Sequence, residues 1–61
     1  MTEYEYINTT NLAKVRIALR VTSDIIPADP RDKEVVITVT RALQIMQDRL
    51  EAIVTCEAED E

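Results

Sequence analysis

Glycine, histidine, phenylalanine and tryptophan are all missing from this chain, and its 61 residues include a single cysteine, Cys56. Each absence excludes something. Without glycine, the tight turns of β-hairpins lose their preferred residue, and no glycine-rich loop is available to cradle a phosphate. Without histidine there is no common general base, so no nucleophile–base pair can be drawn around Cys56. One thiol makes no internal disulfide and, with no histidine beside it, no zinc site. No apolar run approaches the ~18 residues of a membrane span. The opening "MTEYEYINTT" lacks the pattern of a secretory leader. These exclusions predict a soluble, cytoplasmic, non-enzymatic protein with no catalytic residues, no cofactor and no metal. No membrane or DNA partner is expected.

What remains is a small apolar-patterned chain with uneven charge. A domain of this size buries only about 60% of its unfolded surface and usually needs a disulfide, a metal or a second chain. Self-association is the remedy left open. The formal charge is −5, but the acids crowd the ends: Glu3 and Glu5 at one, Glu57, Glu59, Asp60 and Glu61 at the other. Between Asn8 and Cys56, seven cations face six acids. The acidic end reads as a solvated tail, and the centre is able to hold an anion.

Pro27, Asp29 and Pro30 punctuate the chain. The residue before a proline avoids the αR region, so Pro27 ends a preceding helix. Asp29 suits an N-cap and Pro30 the first helical position, where a missing N–H costs nothing. Asp32 then complements the helix dipole. From there Val36, Val39, Leu43, Met46, Leu50 and Ile53 alternate spacings of three and four, the period of a helix seam. A second row at Val35, Ala42, Ile45 and Ala52 widens the apolar face. A helix from Pro30 to Thr55 would be about 39 Å long.

Two readings compete for the first half. As a strand, Val15, Ile17, Leu19 and Val21 would face one side. As a helix, Leu12, Val15, Leu19 and Ile26 form a seam, with Ala18, Val21 and Ile25 beside it. The N-cap candidates in "NTTN" (Asn8 to Asn11) and the lack of glycine favour the helix. Upstream, "TEYEYI" alternates glutamate and tyrosine and reads as an extended arm. The expected fold is all-α: an antiparallel helical hairpin with a short extended N-terminal arm, assembling as a homo-oligomeric helical bundle. Its parts are an arm at 1–9, helices at 10–26 and 30–55, a turn at 27–29 and an acidic tail at 56–61. The second helix outreaches the first by about ten residues, and one neighbour cannot cover its broad apolar face.

Candidate binding residues are few. Lys14, Arg16 and Arg20 precede any acid on the first helix; they form a solvated surface or, more sharply, a phosphate clamp. Arg31 lies in the first turn of the second helix, where free amides also favour anions; its plainer role is an exposed partner of Asp29. Tyr4 and Tyr6 are the only aromatics, suited to packing on a neighbouring subunit or to stacking on a base. Thr38 is a structural residue whose hydroxyl would also fit a small ligand between helices.

The stretch "PRDKEVVITVTRALQIM" resembles the hairpin family of phage cyclic-nucleotide sponges, the anti-CBASS and anti-Thoeris proteins. It carries the arginine–acid pair Arg31–Asp32, the apolar run Val35–Val36–Ile37, Thr38, and the larger Ile45–Met46 after it. Pro30 stands where that family usually has serine, and Arg41–Ala42 and Met46 stand where it has paired glutamates and a tryptophan. The resemblance implies a phosphate-binding lysine at Lys14 and a base-stacking tyrosine at Tyr4 or Tyr6. It further implies pockets formed between subunits, in which a cyclic nucleotide immune signal is sequestered without being cut. The rival expectation is a dimeric four-helix bundle that binds a protein or RNA partner.

Overall fold

The computed structural model describes residues 2–59, with side chains through Cys56. Two antiparallel helices make up the fold, α1 (Glu3–Ser23) and α2 (Pro30–Glu59), joined by residues 24–29. No strand occurs among the described residues, so the alternation from Val15 to Val21 belongs to a helix. The pair is long and thin, 48 × 14 × 13 Å.

The start of α2 follows directly from its sequence. The Asp29 carboxylate accepts the Arg31 backbone N–H at 2.8 Å, and the Asp29 carbonyl accepts the Lys33 N–H at 3.0 Å. This is an N-cap with proline at the first helical position.

The start of α1 corrects the expectation of an extended arm at 1–9. Helix begins at Glu3, capped by Thr2, whose Oγ1 accepts the Glu5 N–H at 3.1 Å. Thr2 and Glu5 have the spacing of a capping box, and Glu3 and Glu5 place negative charge at the positive end of the dipole. This local signal outweighs the glutamate–tyrosine alternation. The threonines and asparagines of "NTTN" therefore lie inside the helix, where each costs only a few tenths of a kcal/mol in propensity.

α1 ends at Ser23, short of the expected Ile26. The Asp24 and Ile25 N–H groups bond back to Val21 and Thr22 at 3.2 and 3.1 Å, a tightened last turn. Ile26, placed in the seam by pattern, sits in the loop before Pro27 and is 92% exposed. At the other end α2 continues to Glu59, past the expected boundary at Thr55.

The core is thin. Among the described residues Leu12, Val15 and Leu50 are the buried apolar ones, with Leu19, Leu43 and Val54 packed against them. Leu50, expected in an overhang, is covered because α1 starts seven residues earlier than predicted. The apolar row assigned to one seam divides into two. Val36, Leu43, Leu50 and Val54 lie on the covered side of α2, whereas Val39 and Met46 are exposed. No helix among the described residues is long and apolar enough to cross a membrane.

Leu12→Ala should lower the unfolding free energy by about 2–5 kcal/mol, the usual range for a buried leucine. Ile17→Ala, on the uncovered side of α1, should change it by under about 0.5 kcal/mol. Urea denaturation followed by circular dichroism checks both; equal effects would contradict the assigned packing.

Candidate functional site

At 100° per residue, Tyr4, Asn8, Asn11 and Val15 share one side of α1. The first three meet Ala42, Ile45, Met46, Arg49, Leu50 and Ile53 of α2 along an open groove of about 490 Å³. That volume lies within the ~300–1,000 Å³ typical of small-molecule sites. Its walls are mostly aliphatic, with a phenol, two amides and a guanidinium as the polar groups. Asn8 is itself buried. No buried side-chain nitrogen or oxygen among the described residues lacks a hydrogen bond.

Tyr4 and Tyr6 are thereby separated. Both rings are largely exposed, but Tyr4 lines the groove and Tyr6 lies 200° further around the helix, on another side. Lys14 is exposed and makes no ion pair among the described residues. It lies ten residues beyond Tyr4, about 15 Å along the helix axis, and flanks the side on which the groove opens.

Arg16 does not join Lys14. Two residues apart on a helix, they diverge by about 200°. Arg16 Nη2 donates to Glu51 Oε1 at 3.1 Å, tying α1 to α2. Gln47 Nε2 donates to the same oxygen at 3.0 Å. Arg31 is remote from both, twenty residues before Glu51 and so about 30 Å away along α2. Its guanidinium Nε lies 3.7 Å from Asp29 Oδ1, with the side chain 93% exposed. Beside it, Pro30 and Glu34 complete a shallower depression of about 370 Å³. Thr38 Oγ1 donates to the Glu34 carbonyl at 2.9 Å, one turn back on its own helix.

Within one chain, then, Tyr4, Tyr6, Lys14, Arg16, Arg31 and Thr38 do not converge. Tyr4 lines the groove and Lys14 lies on its flank; Arg16 serves the helix–helix contact; Arg31 and Thr38 belong to the loop-proximal half of α2. Asn8, Asn11 and Arg49 are groove residues that sequence reasoning passed over. Arg49 had a readable signal, because it interrupts the otherwise apolar row Val35–Val39–Ala42–Met46–Ile53. No protein-family model, curated protein or solved structure matches this chain.

The Glu51 carboxyl is held below its ordinary value of 4.5, first by the Gln47 hydrogen bond and then by that from Arg16. A carboxylate with a lowered folded pKa stabilises the fold above its unfolded value and loses that contribution as pH falls through the folded one. Stability should therefore decline below about pH 4.5, with Glu51 one contributor. Glu51→Gln should flatten that part of the profile. Thermal melts of both proteins from neutral pH to strong acid measure the difference, and parallel curves would remove Glu51 from the account.

Proposed function

We propose that this chain is a non-catalytic binder of cyclic nucleotides, a homo-oligomeric hairpin that sequesters an immune signal as the phage anti-CBASS and anti-Thoeris sponges do. The observation that carries the reading is the groove itself: a tyrosine ring, aliphatic walls and an arginine in one concavity. A nucleobase offers a flat π-face for Tyr4 to stack on, and a phosphodiester offers the anion that Arg49 or Lys14 attracts. The groove is open along its length, so a second subunit would enclose a ligand lying in it. Lys14, one turn along α1 from the groove residue Asn11, would meet the phosphate of such a ligand. Arg31 and Thr38 would enter only from another subunit, since they lie far from Tyr4 within one chain.

A second reading is an interaction module: a four-helix bundle formed by two hairpins that binds a protein or RNA partner. The exposed apolar side chains Val35, Val39, Ile45 and Met46 favour it. Both readings use the same assembled helices and differ in what the groove holds.

Calorimetry with a panel of cyclic di- and trinucleotides separates the two. Binding is expected, with Tyr4→Ala weakening it roughly fivefold to more than a hundredfold, the equivalent of ~1–3 kcal/mol of stacking. Lys14→Ala should weaken it roughly tenfold to a hundredfold, and added salt should weaken it further. Tyr6→Ala should leave it unchanged. Silence across the panel, from protein with intact helical content, would reject the sponge reading in favour of the interaction module.

A further inference from the structure

We propose that two copies of this chain pair through the outer row of α2, antiparallel and in a single register centred on Gln44. The proposal gives a surface and an orientation to the oligomer invoked above, and it stands whether or not a nucleotide binds.

The exposed area comes first. A compact monomer of 7.0 kDa exposes about 4,000 Å², whereas this chain exposes 5052 Å². The surplus, roughly 1,000 Å², slightly exceeds the ~800 Å² that each partner buries in a standard interface. Shape agrees. The radius of gyration is 14.4 Å, against about 10.5 Å for a compact chain of this length.

The row itself is Val35, Val39, Ala42, Met46, Arg49 and Ile53, spaced alternately by four and three. Val35, Val39 and Met46 are 60%, 42% and 47% exposed, Ala42 and Arg49 are exposed, and Ile53 at the end of the row is half-buried. It lies about a quarter turn around α2 from the Val36–Leu43–Leu50 row that faces α1. A helix of a four-helix bundle meets its two neighbours at about that angle, so α2 has one face covered by α1 and the adjacent face bare.

Direction follows from the residues in the row. Its positions are symmetric about Gln44, so an antiparallel pair sets Val35 against Ile53 of the second copy, Val39 against Arg49, and Ala42 against Met46. Small then meets large, as a well-filled seam requires. The Arg49 stem lies over Val39 while its charged head reaches water. The two Arg49 heads are ten residues apart along the axis, about 15 Å, beyond the ~10 Å screening length of dilute salt. A parallel pair would instead set Arg49 on Arg49 and leave a gap where Ala42 meets Ala42. The groove accounts for α1's part. Tyr4 and Asn11 share it with Ala42, Met46 and Arg49, so they flank the same bare face, and pairing through α2 closes the groove from above.

The test uses ligand-free protein with Cys56→Ser as background, refolded from single Ala42→Cys and Met46→Cys chains. After oxidation, the mixture of the two should give a covalent dimer, identified by peptide mapping as a 42–46 link, while neither variant alone gives a comparable yield. Same-residue links in the separate variants would overturn the antiparallel register. Sedimentation should show self-association of the parent chain, weakened at least tenfold by Met46→Asp and unaffected by Ile17→Asp. A folded monomer at micromolar concentration, or loss of assembly with Ile17→Asp but not Met46→Asp, would overturn the surface. A nucleotide panel that stays silent while the 42–46 link forms would reject the sponge reading and leave this one intact.

Discussion

Two helices can cover each other along one stripe only, and that geometric limit governs this molecule. Among the described residues Leu12, Val15 and Leu50 are the buried apolar side chains, helped by Leu19, Leu43 and Val54. A leucine-sized side chain contributes about 1.5–3 kcal/mol when removed from water, whereas ordering the backbone costs about 1–2 kcal/mol for every residue fixed. Three buried residues leave such a chain marginal, so its remaining apolar surface matters. The same limit places the groove, which is the side on which no third helix arrives.

The charged residues divide into those that hold the hairpin and those that face outward. Arg16 and Glu51 clasp the two helices across their exposed edge, with Gln47 aligning the carboxylate. Asp29 is used twice, as a cap for α2 and as a partner for Arg31. Lys14 and Arg49 are left to the open side. An acidic chain thus keeps cations where an anion could approach, and its acids mostly serve the ends and caps.

The helices were legible where the chain states its boundaries chemically. Asp29 and Pro30 announce α2, and the structure keeps them in those roles. Thr2 and Glu5 announce α1 equally well, but two tyrosines alternating with two glutamates mimic an extended period, and the cap between them is easily passed over. The rows on α2 were harder. Val36, Val39, Leu43, Met46, Leu50 and Ile53 fit one seam on spacing, yet α1 leaves Val39 and Met46 exposed. Which half is covered depends on the rotation of α2 about its axis, and a pattern of threes and fours does not fix that rotation. The same uncertainty of phase hid the groove. Tyr4 and Lys14 stood out as an aromatic and a cation, but Asn8, Asn11 and Arg49 gain meaning only when the helices are set side by side.

The placement of the tightest packing has a kinetic consequence. Arg16 and Glu51 are thirty-five residues apart in sequence, and the buried Leu12 and Leu50 are likewise distant, so the best-packed contacts close long stretches of chain. The loop end, with Ile25 and Ile26 exposed, offers little to hold a nascent turn closed. Docking gains little from the connection itself; it depends on Leu12, Val15 and Leu19 of α1 meeting Leu43, Leu50 and Val54 of α2. Helix formation takes under about a microsecond, while closing a longer span costs entropy before any contact rewards it. Contacts of that sequence separation make the meeting of the two helices, not growth from the turn, the step that a folding measurement should find slow.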